Sequence, residues 1–513
     1  MPLTGPPLEQ PVSPSEVLSK GLETKPHDLA LTSLEQRWSW RELDQASSRL
    51  AGNLLALGLK PGDRVASLMP NRCGLVIHYL ACLRAGLVAT PLNYRYRAPE
   101  IDHALSVSEP SILLAHHERA EDLARSKLVS RLPLGRITYG DDQETGTEFR
   151  ELTRFPPPPH ELPPPPPEAP AVIFFTSGST GAPKGVTHSF ETLGWTIESF
   201  KSAAMLGPDD VMLSGTSLSH GGAFKLALAS FAAAARVSVL RQLEPEPLLR
   251  LLRESRPSHL HMLPSALFAL VRDHGATRED FSSVRICNSV GDTASLELIR
   301  EFTDLTGLEL REGYGMTEVG GITVNGSSTP NRPGSVGRVF PGATVILRDQ
   351  SGAEAPVGQD ARLWVRSASI MTGYWNNPEA THQIMRDGWL DTGDILRVDQ
   401  DGYFWFRGRS KQIIVHDGSN ISPQEVEGAL LEHPAVAAAG VVGVHDLMHG
   451  ENVRAYVALR PGRERPNDQE LIRFARDRVG YKAPEEIHVL EALPFTATGK
   501  IDRTALRRLA DGS

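Results

Sequence analysis

Cysteine is nearly absent: three residues in 513, Cys73, Cys82 and Cys287, widely spaced and without a CxxC pair. An odd number at such spacing excludes a disulfide framework and a thiolate metal site, and leaves scattered reduced thiols. Positive charge is also in deficit, 53 Lys and Arg against 62 Asp and Glu for a formal net charge of -9. The chain therefore has no general electrostatic reason to bind DNA, RNA or anionic lipid, which favour concentrated basic groups. Long apolar runs are missing as well. The longest, Leu226 to Ala235, ends at Arg236 and falls far short of the roughly 20 residues that a membrane-spanning helix needs. The first residues, MPLTGPPLEQPVSP, hold neither the basic nor the apolar region of a secretory signal. These absences predict a soluble, cytoplasmic protein with no nucleic-acid partner and no transmembrane segment.

What the chain does have is bulk. At 40% hydrophobic residues it can fill at least two sizeable cores, and at roughly 100 to 200 residues per domain its length suggests two to four units. From Ala30 to Ala89 a short strand, a helix over Ser39 to Leu57, the run ASLMP and a helix ending near Ala85 alternate, a pattern that predicts α/β architecture. The sharpest break is FPPPPHELPPPPPEAP, residues 155 to 170, ten of whose sixteen positions are proline. Proline fixes φ and restrains its predecessor, so this piece is expected as a stiff surface connection between two α/β halves, an SH3-type ligand being the other reading. The runs ATVILRD, ARLWVRS and GYFWFRG predict a β-rich part from about residue 336 to 408. A helix at Pro423 to Glu432, strands AAAGVVGV and VRAYVALR, a helix at Asp468 to Val479 and the strand EIHVL predict a compact α+β unit at the end.

Four clusters carry candidate chemistry. After the strand-like run AVIFF comes TSGSTGAPKG. Thr176, Ser177, Gly178, Ser179, Thr180 and Gly181 offer hydroxyls and approachable backbone N–H groups there, and Lys184 a mobile charge, a set suited to a polyphosphate. It is not a Walker A loop, which requires GK followed by Ser or Thr, and a Gly/Ser-rich loop also serves as plain structure. The second cluster, REGYGMTE, joins a sharp backbone path at Gly313 and Gly315 to the flat face of Tyr314, the hydroxyl of Thr317 and the carboxylate of Glu318, able to hold Mg²⁺ directly or through water. Alone it reads equally as a turn with a surface carboxylate. In the third, Asp391-Thr392-Gly393-Asp394 with Arg407 to Lys411, Asp394 can accept two ribose hydroxyls while an arginine braces sugar or phosphate. A salt-bridged surface turn uses the same residues. The fourth, LPFTATGKID, sets Lys500 on a turn from which its ammonium reaches outward. His445 and His449 have HxxxH spacing without HExxH, a poor zinc motif.

In this order the four clusters resemble those of the AMP-forming adenylating enzymes, the superfamily of acyl-CoA synthetases, carrier-protein adenylation domains and beetle luciferase, over nearly the whole chain. The resemblance implies an α/β fold: a large N-terminal body over residues 1–408, with α/β subdomains and a β-rich distorted barrel, and a small mobile α+β domain over 409–513 with its hinge at Lys411. It implies an ATP-dependent carboxylic acid:CoA ligase, which forms acyl-AMP and pyrophosphate and then acyl-CoA and AMP. ATP, Mg²⁺ and coenzyme A are the implied cofactors, and a small-molecule carboxylic acid the implied substrate.

The same resemblance distributes roles. Lys184, Lys500 and Mg²⁺ at Glu318 would neutralise charge during adenylation, because carboxylate and triphosphate repel each other. Thr317 would contact the α-phosphate, Gly313 and Tyr314 would flank the nucleotide, and Asp394 and Arg409 would hold ribose. His220, in SLSHGG, would gate the acyl entrance. The segment NSVGDTA stands where the family has a GGAPL-like turn, so Gly291, Asp292 and Thr293 would meet adenine and acid. Asp292 and Thr293 depart from that pattern and imply a more polar acyl pocket. Rotation about Lys411 would withdraw Lys500 and bring in the HDGSNI face, with Gly418, to accept the thiol. Gln412 departs from the acidic residue common beside the hinge.

The closest alternative keeps the first step but loads a carrier-protein phosphopantetheine arm in trans. A non-catalytic nucleotide-binding regulator is the distant one, and a homodimer is compatible with either. The acid is open: Trp195, Lys225 and residues 215 to 218 are candidates to line its pocket. Lys225 would either pair with a second carboxylate or cover a helix surface.

Overall fold

The structure, a computed structural model, describes residues 2–140, 147–157, 162–176, 183–241, 243–272, 274–291, 294, 296–326, 329–409, 412–416, 419–446, 450–463, 465–496 and 499–511. Four sheets organise them. Helix α1 (Trp40–Ala56) begins where Ser39 caps it. The Ser39 hydroxyl accepts from the Glu42 backbone N–H and the Glu42 carboxylate accepts from the Ser39 N–H, a reciprocal cap whose loss typically costs about 1 kcal/mol. Its buried stripe of Leu43, Ala46, Leu50 and Leu54 lies on the side of α2 (Cys73–Arg84), which is buried almost end to end.

Around these helices the strands 64–68, 88–91 and 112–116 pair in parallel and are buried almost throughout, as strands covered on both faces must be. The AVIFF run becomes β1 (Pro170–Thr176), parallel to 88–91, and β2 (Lys184–Ser189) returns antiparallel to it with Thr176 opposite Lys184. The two strands that flank the Gly-rich cluster are thus paired antiparallel neighbours. The start of the proline-rich connection lies against α1: Pro157 sits over Gly52, and Asn53 Nδ2 donates to the Phe155 carbonyl at 3.0 Å and to that of the preceding Leu152 at 2.8 Å.

Helix α3 (Gly221–Ala232) is apolar almost all round because it lies between two sheets. Phe224 on it meets Phe174 of β1 edge-on at 5.2 Å. The second sheet has nine strands, with β3 (His259–Met262), β4 (Ile286–Ser289) and β5 (Leu310–Met316) parallel at its centre and β6 (Gly320–Val324) folded back on β5. The short β7 (Gly373–Tyr374) pairs with β2. The predicted β-rich part is a six-stranded antiparallel sheet that includes β8 (Trp389–Val398) and β9 (Phe404–Arg409). One continuous core runs through all three sheets, from Leu75 and Phe174 through Val237 to Leu363 and Phe404.

The last hundred residues form a five-stranded sheet with a core of their own. Helix α4 (Pro423–Leu431), β10 (Val436–Asp446), β11 (Gly450–Leu459), α5 (Asp468–Val479) and β12 (Glu486–Leu490) follow the predicted order, and α6 (Arg503–Asp511) closes it. This unit touches the rest of the chain at definite points. The Arg460 guanidinium stands 4.6 Å from the Phe268 ring, and Gly499 lies beside Leu263. No described helix is long and apolar enough to cross a membrane.

Candidate active site

The carboxy end of β5 is the centre of the arrangement. Gly315 is required there by close approach, since a Cβ at that position would stand 2.1 Å from the Gly320 carbonyl oxygen. The narrow turn leaves Gly313 and Gly315 exposed on one face while Glu312 and Glu318 are buried. Glu312 Oε1 accepts from the Ala294 backbone N–H at 3.0 Å, and its Oε2 has no hydrogen-bond partner among the described residues. Burial pushes the Glu312 carboxyl up to about 7, against the backbone N–H groups of Ala294 and Gly334.

Asp394 is brought to the same place from the antiparallel sheet. Strand register sets it opposite Arg409, whose Nε is 3.3 Å from Asp394 Oδ1, and the Tyr314 hydroxyl donates to Asp394 Oδ2. Asp394 is 2% exposed. Burial raises its carboxyl above the ordinary value, while the Arg409 charge, the Tyr314 hydroxyl, Lys500 and Arg362 oppose that rise in this order. Tyr314 is driven well above the usual phenol range, chiefly by burial, and stays a donor. Asp394 Oδ1 accepts no hydrogen bond among the described residues, so a buried acceptor is left for a ligand donor.

On the other flank of the turn, the Tyr374 hydroxyl of β7 donates to Glu318 Oε1 at 2.9 Å, and Lys184 Nζ stands 4.8 Å from the centre of the same ring. One tyrosine thereby spaces the lysine and the carboxylate. Behind the turn, the Thr317 carbonyl oxygen is 2.9 Å from His188 Nε2 and 3.0 Å from Lys225 Nζ. Lys225 is 1% exposed. This burial corrects the expectation that the lysine covers a helix surface.

The end of the chain completes the seam. Lys500 lies in a tight loop closed by the bridge between Phe495 and Ile501 and by the Thr496 N–H donating to the Lys500 carbonyl at 2.7 Å. Gly499 adopts φ +81° there, a left-handed conformation that glycine reaches without steric cost. The exposed Lys500 ammonium is close enough to act on two groups of the large body. It opposes the rise of Asp394 and, after burial itself, helps hold the His220 imidazole down at about 4. His220 is the N-cap residue of α3, and a Cβ on the next residue, Gly221, would stand 3.3 Å from Thr317 Cγ2. Lys500, His220, Thr317 and Asp394, up to 280 positions apart in sequence, therefore share one region.

Ser177, Gly178, Ser179, Thr180, Gly181, Asp292, Thr293, Lys411 and Gly418 lie outside the described residues. Thr176 ends β1, and Gly291 follows β4 with φ +90°. Glu312, Tyr374 and His188 were not assigned a site role from sequence, and Lys225 was placed there only as a candidate lining of the acyl pocket. Glu312 lies inside the REGYGMTE cluster and carried a readable signal, a second carboxylate on an apolar strand. Tyr374 and His188 carried none, since only pairing of β7 with β2 brings them to the turn. Glu318 does not belong to a group of three His, Cys or carboxylate ligands; among the described residues that arrangement occurs at His116, His117 and Glu118, where Arg241 and Tyr94 already engage Glu118.

Comparison with known proteins places the fold in a family. The family model for AMP-binding enzymes matches residues 18–375, and that for the AMP-binding enzyme C-terminal domain matches 425–500. A feruloyl-CoA synthase from Amycolatopsis is 33% identical over 490 residues, covering 94% of this chain and 96% of that protein. ATP-bound MatB from Rhodopseudomonas palustris superposes with a TM-score of 0.88 at 26% identity, covering 96% of this chain and 98% of that one. A benzoate CoA ligase from Burkholderia xenovorans gives 0.87 at 26% identity, covering 96% and 99%. Fold and relatives together define an ATP-dependent acid-activating enzyme, which forms an acyl-adenylate and then a CoA thioester. The chain belongs to the AMP-binding enzyme family.

Proposed function

We propose that this enzyme activates an aryl or arylpropenoic carboxylic acid and transfers it to free CoA, with adenylation carried out at the seam where Lys500 meets His220 and Asp394. That convergence is the observation that carries the reading. A feruloyl-CoA synthase among the relatives and a benzoate ligase among the similar structures support the aromatic class.

In this reading the carboxylate enters past His220, whose neutral imidazole orients it. Lys500 and Lys184 neutralise the attacking and leaving sides, the positioning and electrostatic work on which adenylation depends. The Thr317 hydroxyl contacts the α-phosphate. Asp394 Oδ1, with Arg409 beside it, accepts from ribose, and Tyr314 and Gly313 flank the base. Glu318 fits Mg²⁺, which binds through one or two carboxylates plus phosphate oxygens and water rather than a full protein cage; when bound, the ion would neutralise phosphate charge. Residues 409–513 act as the lid, pivoting at Lys411 to exchange Lys500 for the face bearing Gly418. The experiment is pyrophosphate release across aliphatic, aryl, arylpropenoic and dicarboxylic acids, with free CoA compared against a carrier-protein phosphopantetheine arm. Preference for an aliphatic or dicarboxylic acid, or for the carrier arm, would overturn the proposed specificity.

Glu312 is assigned the exocyclic amine of adenine, because it is a buried acceptor with a free oxygen beside Ala294. A pH signature follows. Its folded value of about 7 lies above the ordinary 4.5, so the folded chain holds a proton that the unfolded chain releases between those values. The associated stability is present below about pH 4.5 and lost as pH rises through about 7, on the order of 3 kcal/mol. An amine donor favours the ionised form, so ATP should bind more tightly as pH rises through this window. Glu312→Gln should flatten both trends, read from melting temperature and ATP affinity between pH 5 and 8. Identical pH slopes in parent and variant would remove the assignment.

A further inference from the structure

Lys225 sits in the middle of α3 among Phe224, Leu226 and Leu228, all buried. Its Nζ lies 3.0 Å from the Thr317 carbonyl oxygen, 3.0 Å from His188 Nε2 and 5.6 Å from the centre of the Phe174 ring. Burial brings the amine down to about 7, and the Glu318 charge acts to raise it. His188 is held well below its ordinary value, first by burial and then by Lys225, and is neutral. Burying an ammonium costs several kcal/mol even after relaxation, and an apolar side chain of similar volume is often as stable or more so. A leucine or methionine would therefore suit the core at least as well as lysine, unless the charge serves something else.

What it reaches is the Thr317 carbonyl, the peptide that joins the two residues assigned above to the α-phosphate and to Mg²⁺. The grip is double. Residues 221 and 225 lie on one face of the helix, and Gly221 approaches the Thr317 side chain while Lys225 holds the Thr317 main chain. The same helix carries His220 at its N-cap.

We propose that Lys225 is a positioning residue for adenylation, one that anchors the Thr317 carbonyl with His188 and so locks the Thr317–Glu318 turn to the helix bearing His220. The proposal rests on the roles assigned above to Thr317 and Glu318. A carbonyl held from two sides fixes the orientation of its peptide plane, and with it the directions in which the Thr317 hydroxyl and Glu318 carboxylate project. A misplacement of 1 Å in such a site costs about 100-fold in rate. In-line attack on a triphosphate needs that alignment, whereas thioester formation from a preformed acyl-adenylate depends on it less.

Lys225→Met tests this, since it keeps length and removes the charge while His188 remains to pair the Thr317 carbonyl. A core-filling lysine predicts a melting temperature at or above that of the parent and undiminished activity. A positioning lysine predicts the same melting temperature together with a fall of roughly 30- to 100-fold in kcat for acid-dependent ATP–pyrophosphate exchange. The KM for ATP and thioester formation from supplied acyl-adenylate should stay within about threefold of the parent. Lys225→Gln, which keeps an N–H donor, is run beside it and read by the same split between half-reactions, so a methionine variant that fails to fold does not end the test. Exchange within threefold of the parent, or equal loss in both half-reactions, overturns the proposal. The parent measured in parallel separates the two ideas: a parent inactive in exchange counts against the site roles and this proposal together, and active variants beside an active parent count against Lys225 alone.

Discussion

Lys500→Ala should lower acid-dependent pyrophosphate release by about 1,000-fold, the scale on which a single preorganised charge or donor at a reacting centre acts. Thioester formation from supplied acyl-adenylate should change only a few-fold. The asymmetry follows from position. Lys500 is exposed on a tight loop, so removing its side chain opens no cavity in the core. Its charge nonetheless acts on His220 and Asp394, the groups proposed to face the acid and the ribose. The proposed rotation of the C-terminal unit would take the lysine away before the thiol arrives, and the second half-reaction would then proceed without it. Single-turnover measurement of each half-reaction decides the matter, and equal losses in both would remove Lys500 from the adenylation step.

Asp394→Asn should weaken ATP binding by about 100-fold, because hydrogen bonds to a charged group contribute about 1.5 to 3 kcal/mol each. The amide also presents donors toward Arg409, which can only donate in return. The decisive comparison uses 2′-deoxy- and 3′-deoxy-ATP. The parent should discriminate against both, and the variant, which keeps one acceptor oxygen but loses the charge and the second oxygen, should discriminate less. Undiminished discrimination by the variant would move ribose recognition to another residue. Asp394 contributes little to the fold that asparagine would not, since burial already disfavours its charged form. The expected loss is therefore one of affinity more than of melting temperature.

Much of the fold was legible before any coordinates. The helix expected over Ser39 to Leu57, the strand VIFF, the β-rich stretch and the order of elements in the last hundred residues all appear where periodicity and turn residues put them. These are local properties: a helix needs apolar residues at a spacing of three or four, and a strand needs a short apolar run. The four chemical clusters were legible for a related reason, since each is a contiguous stretch. The proline-rich piece was legible as a stiff connection but not as one whose start lies against α1, because Gly52 and Asn53 reveal nothing about what covers them until the chain is folded.

Lys225 marks the limit most clearly. In sequence it is a lysine in a greasy run, and a lysine there normally extends its stem and keeps its charge in water. The structure buries it because sheets close over α3 from both sides, and the nearest acceptor is a carbonyl 92 positions away. Tyr374 and His188 likewise reach the turn through strand pairings that no local pattern encodes.

By itself, then, the sequence determined the class of architecture and the four segments that bear reactive groups. Those depend on composition and on spacings of a few residues. Only the tertiary structure decided which of those groups share a site, which side chains set their directions, and that Lys500 comes to lie against a body from which it is separated by hundreds of residues. Juxtaposition of that kind depends on long-range strand register and on the closure of one core across three sheets.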